Sequence, residues 1–241
     1  MKASSLALSC LVANTCGAAG LARTSEIDND WFRGWPPAEV TYSFSSPIRQ
    51  ADTRLGDIDT LSFHTSYTED VRQAENFEWL VGFDWRRFQS SVPGDLPVPE
   101  TLQSAAAVLG FDSRIAEKWR LRLEVLPGIY SDFRDIDGSD VNAPFTVELS
   151  YSISPALLVG AQLNVDARRN ATLLGGAGVR WRFAEQWLLS LWLPRPQIEF
   201  SAAERLTAFA GASFAGGTYV VADDFGRRLG RPELDGEAVD Y

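Results

Sequence analysis

Cysteine is almost absent from this chain of 241 residues: Cys10 and Cys16 are the two, both within the first sixteen positions. Removal of a leader would leave no thiol, which excludes structural disulfides, cysteine-ligated zinc and cysteine nucleophiles from the remainder. Histidine is scarcer, with His64 alone, so a His-rich metal site is excluded as well. Basic charge is short, 22 Lys+Arg against 32 Asp+Glu for a net charge of −10. General nucleic-acid binding needs a basic footprint and is not expected. No run of about 18 apolar residues follows the leader, so no membrane-crossing helix is expected. What is present is an ordinary apolar share, 45%, enough for a core or for a membrane-facing surface.

Residues 1–22 read as a signal peptide. Lys2 precedes a short apolar stretch from Leu6 to Ala13, and small residues end at Gly20-Leu21-Ala22, a −3/−1 pair suited to cleavage before Arg23. The stretch is too short to span a bilayer as a helix. Ala7-Leu8-Ser9 and Ala13-Asn14-Thr15 are poor contexts for lipidation at Cys10 or Cys16. Residues 23–38 form an N-terminal segment, and residues 39–241 read as one domain.

That domain is written in alternation. In the windows 77–85, 119–125, 145–153, 157–165 and 175–183, 23 of 24 odd positions are apolar against 2 of 19 even positions. Side chains change face at every strand residue, so each window has one greasy and one polar face. Strand-like pieces fall at about 39–47, 57–68, 77–90, 101–115, 118–131, 144–153, 156–166, 171–183, 186–194, 197–202, 205–214 and 217–223. Tight connections such as Ala116-Glu117-Lys118, Ser154-Pro155-Ala156, Ala184-Glu185-Gln186 and Ala203-Glu204-Arg205 alternate with longer polar ones at 48–56, 91–100, 132–143 and 166–171. Short turns on one side and long loops on the other is how an outer-membrane barrel is strung. Ile115-Ala116-Glu117-Lys118-Trp119 is echoed by Phe183-Ala184-Glu185-Gln186-Trp187, which reads as one hairpin chemistry used twice.

The polar faces carry small and charged residues together, as a narrow lumen requires: Gly176, Gly178, Arg180 and Arg182 on one strand, Arg120, Arg122 and Glu124 on another. Trp119 and Trp187 stand first after a turn, where an interfacial aromatic belt would lie. The expectation is an all-β, antiparallel, up-and-down transmembrane β-barrel of about 10–12 strands. A soluble sandwich with Trp79, Phe83, Trp119 and Trp181 turned inward is the competing architecture.

Several stretches are familiar together: Leu96-Pro97-Val98-Pro99-Glu100-Thr101-Leu102-Gln103, Leu126-Pro127-Gly128-Ile129-Tyr130-Ser131-Asp132, Gly176–Phe183, Leu193-Pro194-Arg195-Pro196-Gln197-Ile198-Glu199 and Gly211–Tyr219. Over roughly residues 40–226 the chain resembles a family of bacterial outer-membrane β-barrel domains of unknown function. The resemblance implies fold and location, with lipid and the barrel-assembly machinery as partners, and no activity to transfer. In that family further strand sequence would follow a segment like Gly236–Tyr241. Residues 223–236 are loop-like, leaving about five for a closing strand where spanning takes about 9–11. The barrel is therefore expected to be incomplete at its C-terminus.

Candidate chemistry is sparse. His64 shares the polar face with Ser62 and Ser66, about 7 Å away on the i±2 rhythm. A barrel hydrolase would need its nucleophile from a neighbouring strand, so catalysis is not expected. Asp135, Asp137 and Asp140 surround Gly138, but no Glu closes a calcium loop at the twelfth position. Asp52, Asp57 and Asp59 read likewise as solvated loop acids. Gly175-Gly176-Ala177-Gly178 lacks the helix and Lys of a phosphate loop. The main lead is a lumen charge set of Glu78, Asp84, Arg86, Arg120, Arg122, Glu124, Glu148, Arg180 and Arg182. It either tunes permeation or fills a barrel too narrow to conduct. No cofactor, metal or small-molecule ligand is implied, and a non-enzyme is expected.

Overall fold

The structure is a computed structural model. It describes residues 38–50, 53–91, 99–168, 172–192, 196–203, 206–211, 218–228, 236 and 238–240; the expected signal peptide and nearly all of the segment 23–38 lie outside them. Strands dominate: β1 (Ala38–Gln50), β2 (Thr53–Ala74), β3 (Phe77–Ser91), β4 (Thr101–Ala116), β5 (Trp119–Val125), β6 (Gly128–Ser131), β7 (Val141–Asn142), β8 (Phe145–Ser154), β9 (Leu157–Val165), β10 (Leu173–Ala184), β11 (Trp187–Leu191), β12 (Gln197–Ala203), β13 (Leu206–Gly211), β14 (Thr218–Val220) and β15 (Ala238–Asp240). A 3-10 turn (Gly138–Asp140) and one helical turn, α1 (Phe225–Arg228), complete the described elements.

The fold is all-β. Its main sheet runs β1-β2-β3-β4-β5-β8-β9-β10-β11-β12-β13, and each neighbouring pair along this path is antiparallel. The tight connections Glu75-Asn76, Glu117-Lys118, Pro155-Ala156 and Glu185-Gln186 consequently lie at one end of the sheet, and the longer ones at the other. Ala116 pairs with Trp119 and Ala184 with Trp187, so the two echoed turns share one register.

Prolines break two strands side by side. Pro127 has no N–H to give the ladder, and the strand expected over 118–131 divides there into β5 and β6. The Leu126 N–H donates to the Pro144 carbonyl (2.9 Å), and the Ala107 N–H to that of Pro127 (2.9 Å). Beyond the break β6 still pairs with β4 and also with β7.

Two expectations need correction. The connection 48–56 is not a long loop: Ile48 pairs with Gly56, Arg49 with Arg54 and Gln50 with Thr53, because backbone pairing is indifferent to the polarity of the side chains it carries. The piece 217–223 does not continue the sheet after β13; β14 instead pairs with β6 and β15. In line with the expected incompleteness, the sheet is not closed among the described residues, since no described pairing joins β1 to β13. With ten antiparallel steps between them along the path, those two edges run in the same direction, so direct closure would be parallel. Residues 193–196 connect β11 to β12 as a hairpin, since Ser190 pairs with Gln197 across them, although 193–195 themselves lie outside the described residues.

The alternation is inside out relative to a soluble sandwich. Trp79 (42% exposed), Phe83 (49%), Trp119 (42%) and Trp181 (47%) turn outward. Val81, Leu109, Leu149, Leu163 and Phe183 are exposed with them. The opposite face buries Asp84, Asp112, Glu148, Ser104 and Ser150 along with Leu80, Leu102, Val108 and Leu158. Aromatic rings meet on the outer face near the tight turns: Phe77 with Trp79 and Phe111, Trp119 with Tyr151, and Phe183 with Trp181 and Trp187.

Candidate functional site

The inner face gathers its charges because even-numbered residues of β3, β4, β5, β8 and β10 share it, and the ladder registers decide which of them meet. Near the tight turns the centre is Asp112 on β4. Its carboxylate accepts from the Arg120 Nε–H, and Arg122 Nη1 stands 3.7 Å from its second oxygen. Arg122 Nη2 also donates to Glu124 Oε2 at 3.0 Å. Glu148 stands opposite Arg122 in the β5–β8 ladder, is 4% exposed, and keeps one oxygen, Oε2, without a hydrogen bond. Glu78 stands opposite Asp112 in the β3–β4 ladder.

Farther from the tight turns, Asp84 is shared by two donors. His64 Nε2 lies 2.6 Å from Asp84 Oδ2, and the Arg86 Nε–H donates to Oδ1 at 3.0 Å. Register explains the meeting, since His64 pairs with Arg86 and Ser66 with Asp84 across β2–β3. This carboxylate holds a guanidinium as well as the imidazole, which suits a buried ion-pair filler better than a base-orienting acid. The Ser62 hydroxyl donates to the Thr41 carbonyl at 3.5 Å. Arg180 and Arg182 form a separate group, with Glu199 of β12 as the acid acting on Arg180.

The nine expected lumen charges thus divide into separate clusters. Sequence reasoning missed Asp112 and Glu199, which lie on strands outside the counted windows; Asp112 shares the even parity of its inner-face neighbours, whereas Glu199 is odd-numbered and reaches the inner face through its register opposite Leu188. It also missed Trp192. This indole folds onto the inner face, donating from Nε1 to Gln162 Oε1 at 3.1 Å, and it lies where a Cβ on Gly178 or Gly160 would be. Two glycines paired with one another make the seat for one indole.

No protein-family model matches the chain, and no curated protein matches it. The site is therefore read from its own chemistry. Among the described residues no group of three or more His, Cys, Asp and Glu is placed to hold a metal ion. The loop acids are engaged in a capping box: Asp137 Oδ1 accepts from the Ser139 N–H (2.6 Å) and hydroxyl (2.5 Å), while the Asp137 N–H donates to Asp140 Oδ2 (3.0 Å). The Ser139 side-chain and backbone hydrogen bonds hold the Asp137 carboxyl below the usual carboxylate range, and burial pushes Asp140 up. These acids shape a turn. Asp132 serves the backbone too, accepting from the Arg134 and Ala222 N–H groups.

Proposed function

We propose that this chain is an exported bacterial outer-membrane β-barrel protein, structural or narrow-pore in role and without enzymatic activity. The observation that carries the reading is the inside-out sheet: a continuous apolar, aromatic-edged outer face backed by a face of paired charges. In water that outer face would have no partner, because exposed apolar patches on soluble monomers rarely exceed a few hundred Å². In lipid it is the required surface. Strands β8 and β9, of ten and nine residues, match the about 9–11 residues that cross a bilayer, and the aromatic contacts near the tight turns match an interfacial belt.

The reading carries a topological demand. Lipid does not tolerate unpaired sheet edges, so the edges of β1 and β13 must be covered. Because these edges run in the same direction, one further strand antiparallel to both would complete an even-numbered barrel. Ion pairs, Trp192 and apolar side chains crowd the inner face, which favours a structural or narrow-pore role over a wide channel. Lipid and the barrel-assembly machinery are the partners, and no small-molecule ligand is inferred.

The test is physical state. The purified mature chain should need detergent to stay in solution, and once reconstituted its tryptophan fluorescence should be quenched by acyl-chain-brominated lipid. A chain that stays soluble and monomeric in buffer would refute the proposal.

A further inference from the structure

Residues 218–222, the next described after β13, lie over the inner face. Residues 218–222 are buried one after another, followed by Phe225. Tyr219, 3% exposed, is the anchor: its ring stands edge-on to Phe88 at 6.0 Å and tilted to Tyr130 at 6.1 Å. Leu102 and Ala106 complete this cluster, and Ser104 hydrogen-bonds the phenol side chain. All of these partners belong to the inner face of β3, β4 and β6.

A second set of contacts holds the same segment to the end of β6 and the residue after it. Val220 bridges Ser131 in parallel. The Asp132 N–H donates to the Val220 carbonyl at 3.2 Å, and Asp132 Oδ2 accepts from the Ala222 N–H at 3.4 Å. Ser131 ends β6, and Asp132 follows it, at the side of the long connections, away from the tight turns. The segment therefore lies across that end of the inner face, with β15 paired along it. A strand serving only to extend the sheet would lie in its plane beside β13.

We infer that residues 218–226 form a plug over the long-connection mouth of the lumen, and that its displacement opens a path for small solutes; this rests on the barrel reading above. The attachment suits a movable part. Its described ties to the inner face are the Tyr219 ring cluster, the Val220–Ser131 bridge and the two hydrogen bonds to Asp132. This is a shorter attachment than the continuous ladder that joins β3 and β4 from Phe77↔Ser113 to Gln89↔Thr101, and sparsely attached segments open ahead of the rest of a structure.

A reversible tether tests this. Ser131→Cys with Val220→Cys places thiols on bridged neighbours, where strand spacing of about 4.8 Å falls within the about 4.4–6.8 Å Cα separation of disulfides. The full chain would carry Cys10→Ser and Cys16→Ser so that no other thiol competes. Flotation first establishes that the protein is inserted in lipid vesicles, and efflux of a small trapped dye is then followed. The disulfide should form on mild oxidation. Efflux should be slow in the oxidised protein and rise several-fold on reduction, and Tyr219→Ala without the tether should raise it further. Absence of the cross-link would overturn the position of the plug. A cross-link with equal efflux before and after reduction, or Tyr219→Ala leaking no faster than the parent chain, would overturn its role. Failure to float would refute the barrel reading instead, and cross-linking would still report where the segment lies.

Discussion

Replacing Gly178 by alanine adds one methyl group to β10 where the indole of Trp192 lies: the new Cβ would stand 2.1 Å from Cε3, 2.4 Å from Cδ2 and 2.9 Å from Cγ. These atoms are close to the root of the side chain, so a small torsion does not clear them. The indole must leave its seat, and the neighbouring Gly160, whose own Cβ position is 2.6 Å from Cη2, loses the same packing partner. Overpacking of this kind costs about 1–3 kcal/mol, and the bond from Trp192 Nε1 to Gln162 contributes about 0.5–1.5 kcal/mol net. The substitution should therefore destabilise the protein by about 1.5–4.5 kcal/mol. In a Trp192→Ala background the methyl has room, and alanine is then neutral or slightly favourable in a strand, within about 0.5 kcal/mol. Equilibrium urea unfolding in lipid vesicles, followed by the remaining tryptophans of the eight, reads each corner of the double-mutant cycle. A coupling energy near the single-mutant cost is expected. Additive effects of the two substitutions would refute the seating of Trp192 on β9 and β10.

Three further outcomes follow from the same structure. Leu149→Arg places a charge on the outer face, and in vesicles it should cost about 2–4 kcal/mol if it sits near the bilayer midplane; an unchanged unfolding midpoint would contradict a lipid-facing β8. Asp84→Ala leaves His64 and Arg86 without their shared anion and should cost about 3–5 kcal/mol, whereas His64→Ala costs less because Asp84 keeps Arg86; urea midpoints in the reverse order would refute the cluster. In the loop, the Asp137 carboxyl lies below its unfolded value, so its stabilising contribution is present above the ordinary aspartate range and disappears as pH falls through the lowered value. The Ser139 amide, bonded to Asp137, should stay protected from hydrogen exchange at neutral pH and lose that protection in acid, while Asp137→Asn should weaken it at neutral pH and remove its dependence on pH.

Much of the sheet was legible because strand alternation depends only on chemically local choices. The outer residues Trp79, Phe83, Leu149 and Trp181 announced a common face, and the paired turns at Glu117-Lys118 and Glu185-Gln186 took the register that their shared sequence implied. The inner face was legible in part. Parity placed Arg120, Arg122, Glu124 and Glu148 on one face, but which acid meets which base is a matter of interstrand register, and Asp112 emerged only when β4 was laid beside β5. Polar composition misled at 48–56, where the hairpin continues through residues that read as a loop.

Local sequence by itself determined that this protein would be built of alternating strands joined by tight turns at one end, since side-chain period and turn chemistry act over a few neighbouring residues. Tertiary structure alone decided what covers the inner face of those strands. Whether Thr218–Ala222 extends the sheet or folds onto its inner face, whether Trp192 turns to the outer face or fills the hollow above two glycines, and whether His64 meets a serine or the Asp84–Arg86 pair are all contacts between residues distant in sequence. The same local pattern serves either outcome, and only packing and register choose between them.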